Sequence, residues 1–156
     1  MNIISLNIIN FNVFYSKGWY NFNHIMINLK ISLVCTVLNE EKTIGMFINS
    51  VVRQSVLPNE LIIVDGGSAD NTLRKINILI RKYRERINIK SILKKGNRSV
   101  GRNEGIKHAS SEIILLTDSG CILDKDWVKE IIKPFNDKKT DVVAGYYKGE
   151  GKTIFQ

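Results

Sequence analysis

Asp65 and Asp118 each end an apolar run and precede small residues: ELIIVD leads into Gly66, Gly67 and Ser68, and EIILLTD into Ser119, Gly120 and Cys121. A carboxylate where a buried strand stops is placed to meet a ligand, because open α/β sheets bind ligands beyond the carboxyl ends of their parallel strands. Asp-Ser-Gly alone is ordinary turn chemistry. The recurrence of the pattern at two strand ends favours a site. With a third loop at Thr36 to Asn39, such an edge suits a nucleotide. A carboxylate accepts from a base imide or ribose hydroxyls, amides at a helix start meet phosphate, and a nearby Arg neutralises diphosphate. The chain holds neither GxGxxG nor GxxxxGKS/T, so the dinucleotide fingerprint and the P-loop are unsupported.

The elements that must position these residues follow from periodicity. ISLVCTV from Ile31 reads as a buried strand, Asn39 as a helix cap with Glu40 and Glu41 in the first turn, and Ile44, Phe47, Ile48, Val51 and Val52 as one helix face. Pro58 closes that connection. Strand ELIIVD precedes a helix from about Asp70, with Leu73, Ile76, Leu79, Ile80 and Tyr83 on one face. Asn88–Leu93 predicts a third strand, and Lys94–Asn97 a turn. Ser99–Ala109 predicts a helix with Val100, Ile106 and Ala109 inward. After EIILLTD, Trp127, Ile131, Ile132 and Phe135 fall together between Asp126 and Phe135, and Asp141–Tyr147 predicts a further strand. Strands alternating with helices at this spacing predict an α/β fold, a mostly parallel sheet with helices on both faces.

The chain's 156 residues, 44% of them hydrophobic, suit one domain with a sizeable core. Residues 1–29 differ, being rich in Asn and aromatics with a single charge at Lys17, and read as an extension outside the fold: an edge hairpin, or a stretch upstream of a start at Met26. They lack the basic start and small-residue cleavage site of a signal peptide. Residues 30–156 form the domain. The net charge of +8 is concentrated between Arg74 and Lys107, where twelve Lys or Arg face Glu85 and Glu104. That band is either a solvated helix face or a contact with something anionic, with Arg98 and Arg102 excepted from the solvated reading. Without interleaved aromatics it is a poor nucleic-acid surface. Contact with anionic lipid is another use, one that would suit a lipid-linked acceptor. Cys35 and Cys121 form no CxxC pair and read as reduced core thiols of a cytoplasmic protein, and His24 and His108 lack metal-ligand spacing.

The stretch ISLVCTVLNEEKTIGMFINSVVRQSVLPNELIIVDGGSADNT resembles the opening of the family 2 glycosyltransferases of GT-A fold, and GRNEGIKHASSEIILLTDSGCILDKDWV is similar to their A-R-N-x-G segment and D-x-D strand end. The resemblance covers residues 31–150. It implies a Rossmann-like sheet and inverting transfer of a sugar from a nucleotide-diphosphate donor to a glycan or lipid-linked acceptor. It also implies that Val37, Asn39, Glu40 and Gly67 line the nucleotide pocket, that Asp65 holds the base, that Arg102 lies near base or diphosphate, and that Asp118 stands near ribose and metal. Thr36, Gly66 and Gly120 depart from the family's usual Pro and its second Asp residues. One carboxylate plus Ser119 is a sparse set for Mn or Mg, so a divalent cation is allowed by this strand end but not secured. The family's catalytic base lies well downstream of D-x-D, which implies a base beyond Gln156 and a C-terminally truncated chain that binds donor without turning it over. A non-catalytic nucleotide-sugar-binding module is the alternative, ahead of a basic nucleic-acid-binding domain. The expected location is the cytoplasm, including the inner face of the membrane.

Overall fold

A computed structural model of the chain describes residues 30–137 and 139–145. Their order is β1 (Ile31–Val37), α1 (Ile44–Val52), β2 (Glu60–Asp65), α2 (Thr72–Tyr83), β3 (Asn88–Leu93), α3 (Arg98–His108), β4 (Ile113–Asp118) and α4 (Trp127–Ile132), with a short 3-10 helix at Lys133–Asn136. The four strands form one parallel sheet in the order β3-β2-β1-β4. Central β1 and β2 are covered on both faces, so their sequences are nearly unbroken apolar runs. Edge strand β4 instead alternates buried Ile113, Leu115 and Thr117 with the more open Ile114, Leu116 and Asp118.

Two unequal cores flank the sheet. The larger joins Leu33, Cys35, Leu61 and Ile63 to Phe47, Ile48 and Val51 of α1, Ile76 of α2, and Trp127, Val128 and Ile131 of α4. The smaller holds Val34, Ile62 and Val64 under α3. There α3 presents glycine: a Cβ on Gly101 would stand 2.8 Å from Thr36 Cγ2, and one on Gly105 would stand 2.3 Å from Val34 Cγ1. Only a side chain of hydrogen lets this helix lie so close to the strands.

Several local expectations are corrected. Val100 and Ile106 are exposed, because α3 turns Gly101 and Gly105 to the sheet instead. Leu73 is also exposed, leaving Ile76 as the fully buried apolar residue of α2. Asn39 does not cap α1, which starts at Ile44 after Thr43. Residues 141–145 form no strand, and the rest of the predicted Asp141–Tyr147 strand lies outside the described residues. The extension 1–29 lies outside them as well. No helix among the described residues is long and apolar enough to cross a membrane.

Candidate nucleotide-sugar site

Chain direction reverses its march across the sheet after β3: β1, β2 and β3 step one way, and β4 then falls on the other side of β1. The crevice at such a switch point, beyond the carboxyl ends of the strands, is where doubly wound sheets take ligands. Register brings the predicted loops there, since Val37 is level with Asp65 and Thr36 with Asp118.

On the β2 side, Asp65 is buried, and its Oδ1 accepts from the amides of Gly67 at 2.9 Å and Ser68 at 2.7 Å. Gly67 supplies the left-handed backbone this turn requires, with φ of 104°. The β1 loop is tied to the β2 loop from both sides. The amides of Asn39, Glu40 and Glu41 donate to Ser68 Oγ, Thr72 Oγ1 and Asp70 Oδ2, while Asn39 Oδ1 accepts from Ala69 and Glu41 Oε2 from Asn71. Asn39 adopts φ of 55°, a left-handed conformation that Asn tolerates better than most residues. Asn39 and Glu40 thus reach the crevice, but the Asn39 side chain and the Glu40 amide hold the loops together, and the Glu40 carboxylate accepts from the Thr43 hydroxyl. Val37 contributes backbone: its side chain is in the core and its carbonyl accepts from Gly66 at 2.9 Å. Exposed Leu38 is the apolar side chain at this rim.

On the β4 side, Asp118 meets α3. Arg102 Nη2 donates to Asp118 Oδ1 at 2.8 Å, and Arg98 Nη1 lies 3.8 Å from Oδ2. Arg98, set apart with Arg102 in the basic band but given no role there, shares a helix face with Arg102 through their four-residue spacing. Lys94 pairs with Glu104 at 3.7 Å, and the Lys95 stem lies against Gly67. The strap after β4 is fastened to α1 by the Leu123 amide on Ser50 Oγ at 3.1 Å, and α4 to the turn after α1 by the Val128 amide on Gln54 Oε1 at 2.9 Å. Burial pushes both the Cys35 and Cys121 thiols up, so they stay protonated core groups.

A hard divalent cation wants several oxygen ligands. The β4 end offers one carboxylate, already facing two guanidiniums, together with buried Ser119 and Gly120. Among the described residues no three His, Cys, Asp or Glu side chains come together, so these residues alone do not fit such an ion.

The family model for "Glycosyl transferase family 2" matches residues 32–155. The chain belongs to glycosyl transferase family 2. Similar proteins within or beside the family include the Staphylococcus aureus poly(ribitol-phosphate) beta-N-acetylglucosaminyltransferase TarP, 31% identical over 79% of this chain and 38% of that protein. A poly(ribitol-phosphate) beta-glucosyltransferase of Bacillus spizizenii is 30% identical over 78% of this chain and 19% of its own length. The crystal structure of S. aureus TarS 1–349 in complex with UDP-GlcNAc superposes with a TM-score of 0.58 at 30% identity, covering 70% of this chain and 32% of that one. This family 2 chain therefore spans well under half the length of these relatives, and its parallel sheet is the GT-A sheet.

Proposed function

We propose that residues 30–145 bind the nucleotide-diphosphate part of a sugar donor for transfer to an acceptor hydroxyl with inversion at the anomeric carbon. The observation that carries this reading is the pairing of Asp65 and Asp118 across β1 at the switch point, each at a strand end, in a chain of this family. Asp65, through the oxygen not used by Gly67 and Ser68, would take the base. Asp118 would take the ribose, and Arg102 would stand beside the diphosphate. The S. aureus TarS complex makes a UDP-sugar the first donor to test. TarP and the B. spizizenii enzyme are named for different sugars on poly(ribitol-phosphate), which makes an anionic polyol phosphate the acceptor class to test. In the transfer, the acceptor oxygen bonds to the anomeric carbon as the bond to the diphosphate breaks, and the acceptor proton passes to a base. Both described carboxylates on the strap already hold local structure, so neither is assigned as that base. Asp124 accepts from the Asp126 amide, and the Ser55 hydroxyl holds the Asp126 carboxyl below its usual range.

The test is a thermal shift with UDP-GlcNAc, UDP-glucose and the corresponding GDP and CDP sugars. A donor at ~100 times its Kd adds about 2.7 kcal/mol of stability. Asp65→Asn keeps the Oδ1 acceptor for both turn amides, so it should fold and lose donor affinity by about ten- to hundredfold. Unchanged affinity in the folded variant removes Asp65 from the site, and the absence of a shift with every nucleotide sugar overturns the reading.

A further inference from the structure

We infer that Arg98, beside Arg102, binds the donor diphosphate and supplies the positive charge that a divalent cation would otherwise bring to this site; the inference rests on the donor reading above. Arg98 opens α3, and its guanidinium reaches Asp118 across the end of β1, so it lies over the crevice between the two Asp-ended strands. The positive end of the α3 dipole adds to it there.

Two guanidiniums face the single carboxylate of Asp118, and Lys95 has no carboxylate partner among the described residues. The Arg side of the crevice therefore carries an excess of positive charge, matched to the negative charges of a diphosphate. A dication brought to Asp118 would meet two guanidinium cations within a few ångströms, whereas an anion would meet the forked donors of Arg98, whose geometry suits phosphate oxygens.

Arg102 is held to Asp118 by a 2.8 Å hydrogen bond that orients this carboxylate. Arg98 is 3.8 Å from the second oxygen with a side chain 68% exposed. Such a solvated pair contributes little, so turning Arg98 to phosphate sacrifices little. Gly120 has open space where a Cβ would stand, yet the sequence places no second carboxylate there.

The experiment is calorimetric titration of the full chain with UDP and, separately, with uridine, in excess EDTA and in excess Mn, for the wild type, Arg98→Gln and Arg98→Lys. Circular dichroism melts confirm that each variant is folded. UDP should bind in EDTA with little gain from Mn. Arg98→Gln should weaken UDP by about ten- to hundredfold, leave uridine unchanged, and be partly rescued by Arg98→Lys. UDP binding that depends on Mn, or wild-type UDP affinity in Arg98→Gln, overturns the inference while leaving the donor reading intact. An equal loss for uridine would assign Arg98 to orienting Asp118 and overturns it too. Failure of both UDP and uridine to bind wild type overturns the inference together with the donor reading.

Discussion

A carboxylate is buried cheaply only when its neighbours replace the water it loses, and the two ends of β2 solve that problem differently. Asp65, at the carboxyl end, is met by two amides of its own turn. Glu60, at the amino end, is met from the two neighbouring strands and the loop before β4. Ser32 Oγ donates to it at 2.6 Å, Lys90 Nζ at 2.6 Å, and Ser110 through amide and hydroxyl at 2.8 and 2.9 Å. Burial pushes the Glu60 carboxyl up, but Lys90, Ser32 and Ser110 together outweigh it and hold it at about 2, against an ordinary 4.5. The depressed value makes its contribution complete above pH 4.5 and lost as pH falls toward about 2. We expect denaturant-derived stability to fall through that window by at most about 3 kcal/mol from this residue, and Glu60→Gln to remove that portion of the slope. Asp65 was legible in the sequence because an apolar run, an Asp and small residues are contiguous. Glu60 was not, since its partners lie 28, 30 and 50 residues away.

At the scale of elements, α3 decides the height of the crevice roof. Gly105→Ala would put a methyl group 2.3 Å from Val34 Cγ1, so the helix must rise or the valine must move. Overpacking of this kind costs about 1–3 kcal/mol, and the better helix propensity of Ala offsets up to about 1 kcal/mol of it. The expected outcome is a lower melting temperature together with weaker UDP binding, because Arg98 and Arg102 ride on the same helix. Adding Val34→Ala should restore part of both, read as a coupling in a double-mutant cycle. Retained melting temperature and affinity in Gly105→Ala would show that α3 is not so constrained. The sequence showed that a helix lay here but inverted its faces. A search for large apolar residues at helical spacing finds Val100 and Ile106, whereas close packing on a β-branched strand needs the smallest residues inward. Asn39 misled for a related reason: Asn favours both helix caps and left-handed turns, and here the cross-loop bonds to Ser68 and Ala69 select the turn.

For the molecule as a whole, the strand order was beyond the sequence, since alternating elements fix parallel pairing but not which strand lies in the middle. Among the described residues β4 is an edge strand with Ile114 and Leu116 exposed. Beside it a cavity of about 320 Å³ is lined by Leu116, Trp127, Phe135 and Val142. Open apolar edges pair with other chains, so the isolated chain should self-associate as its concentration rises. Sedimentation velocity would show this, and Leu116→Lys should shift the distribution toward monomer; a monomer at all concentrations would mean that this edge is covered. The order of pairing also sets a timetable. Ile31 pairs with Ile113, so the central strand leaves the ribosome 82 residues ahead of its second neighbour. At about 5–20 residues per second, β1 waits roughly 4 to 16 s with one side unpaired, a window in which a nascent chain is exposed to chaperones and to other nascent chains before Asp118, and with it half the crevice, exists at all.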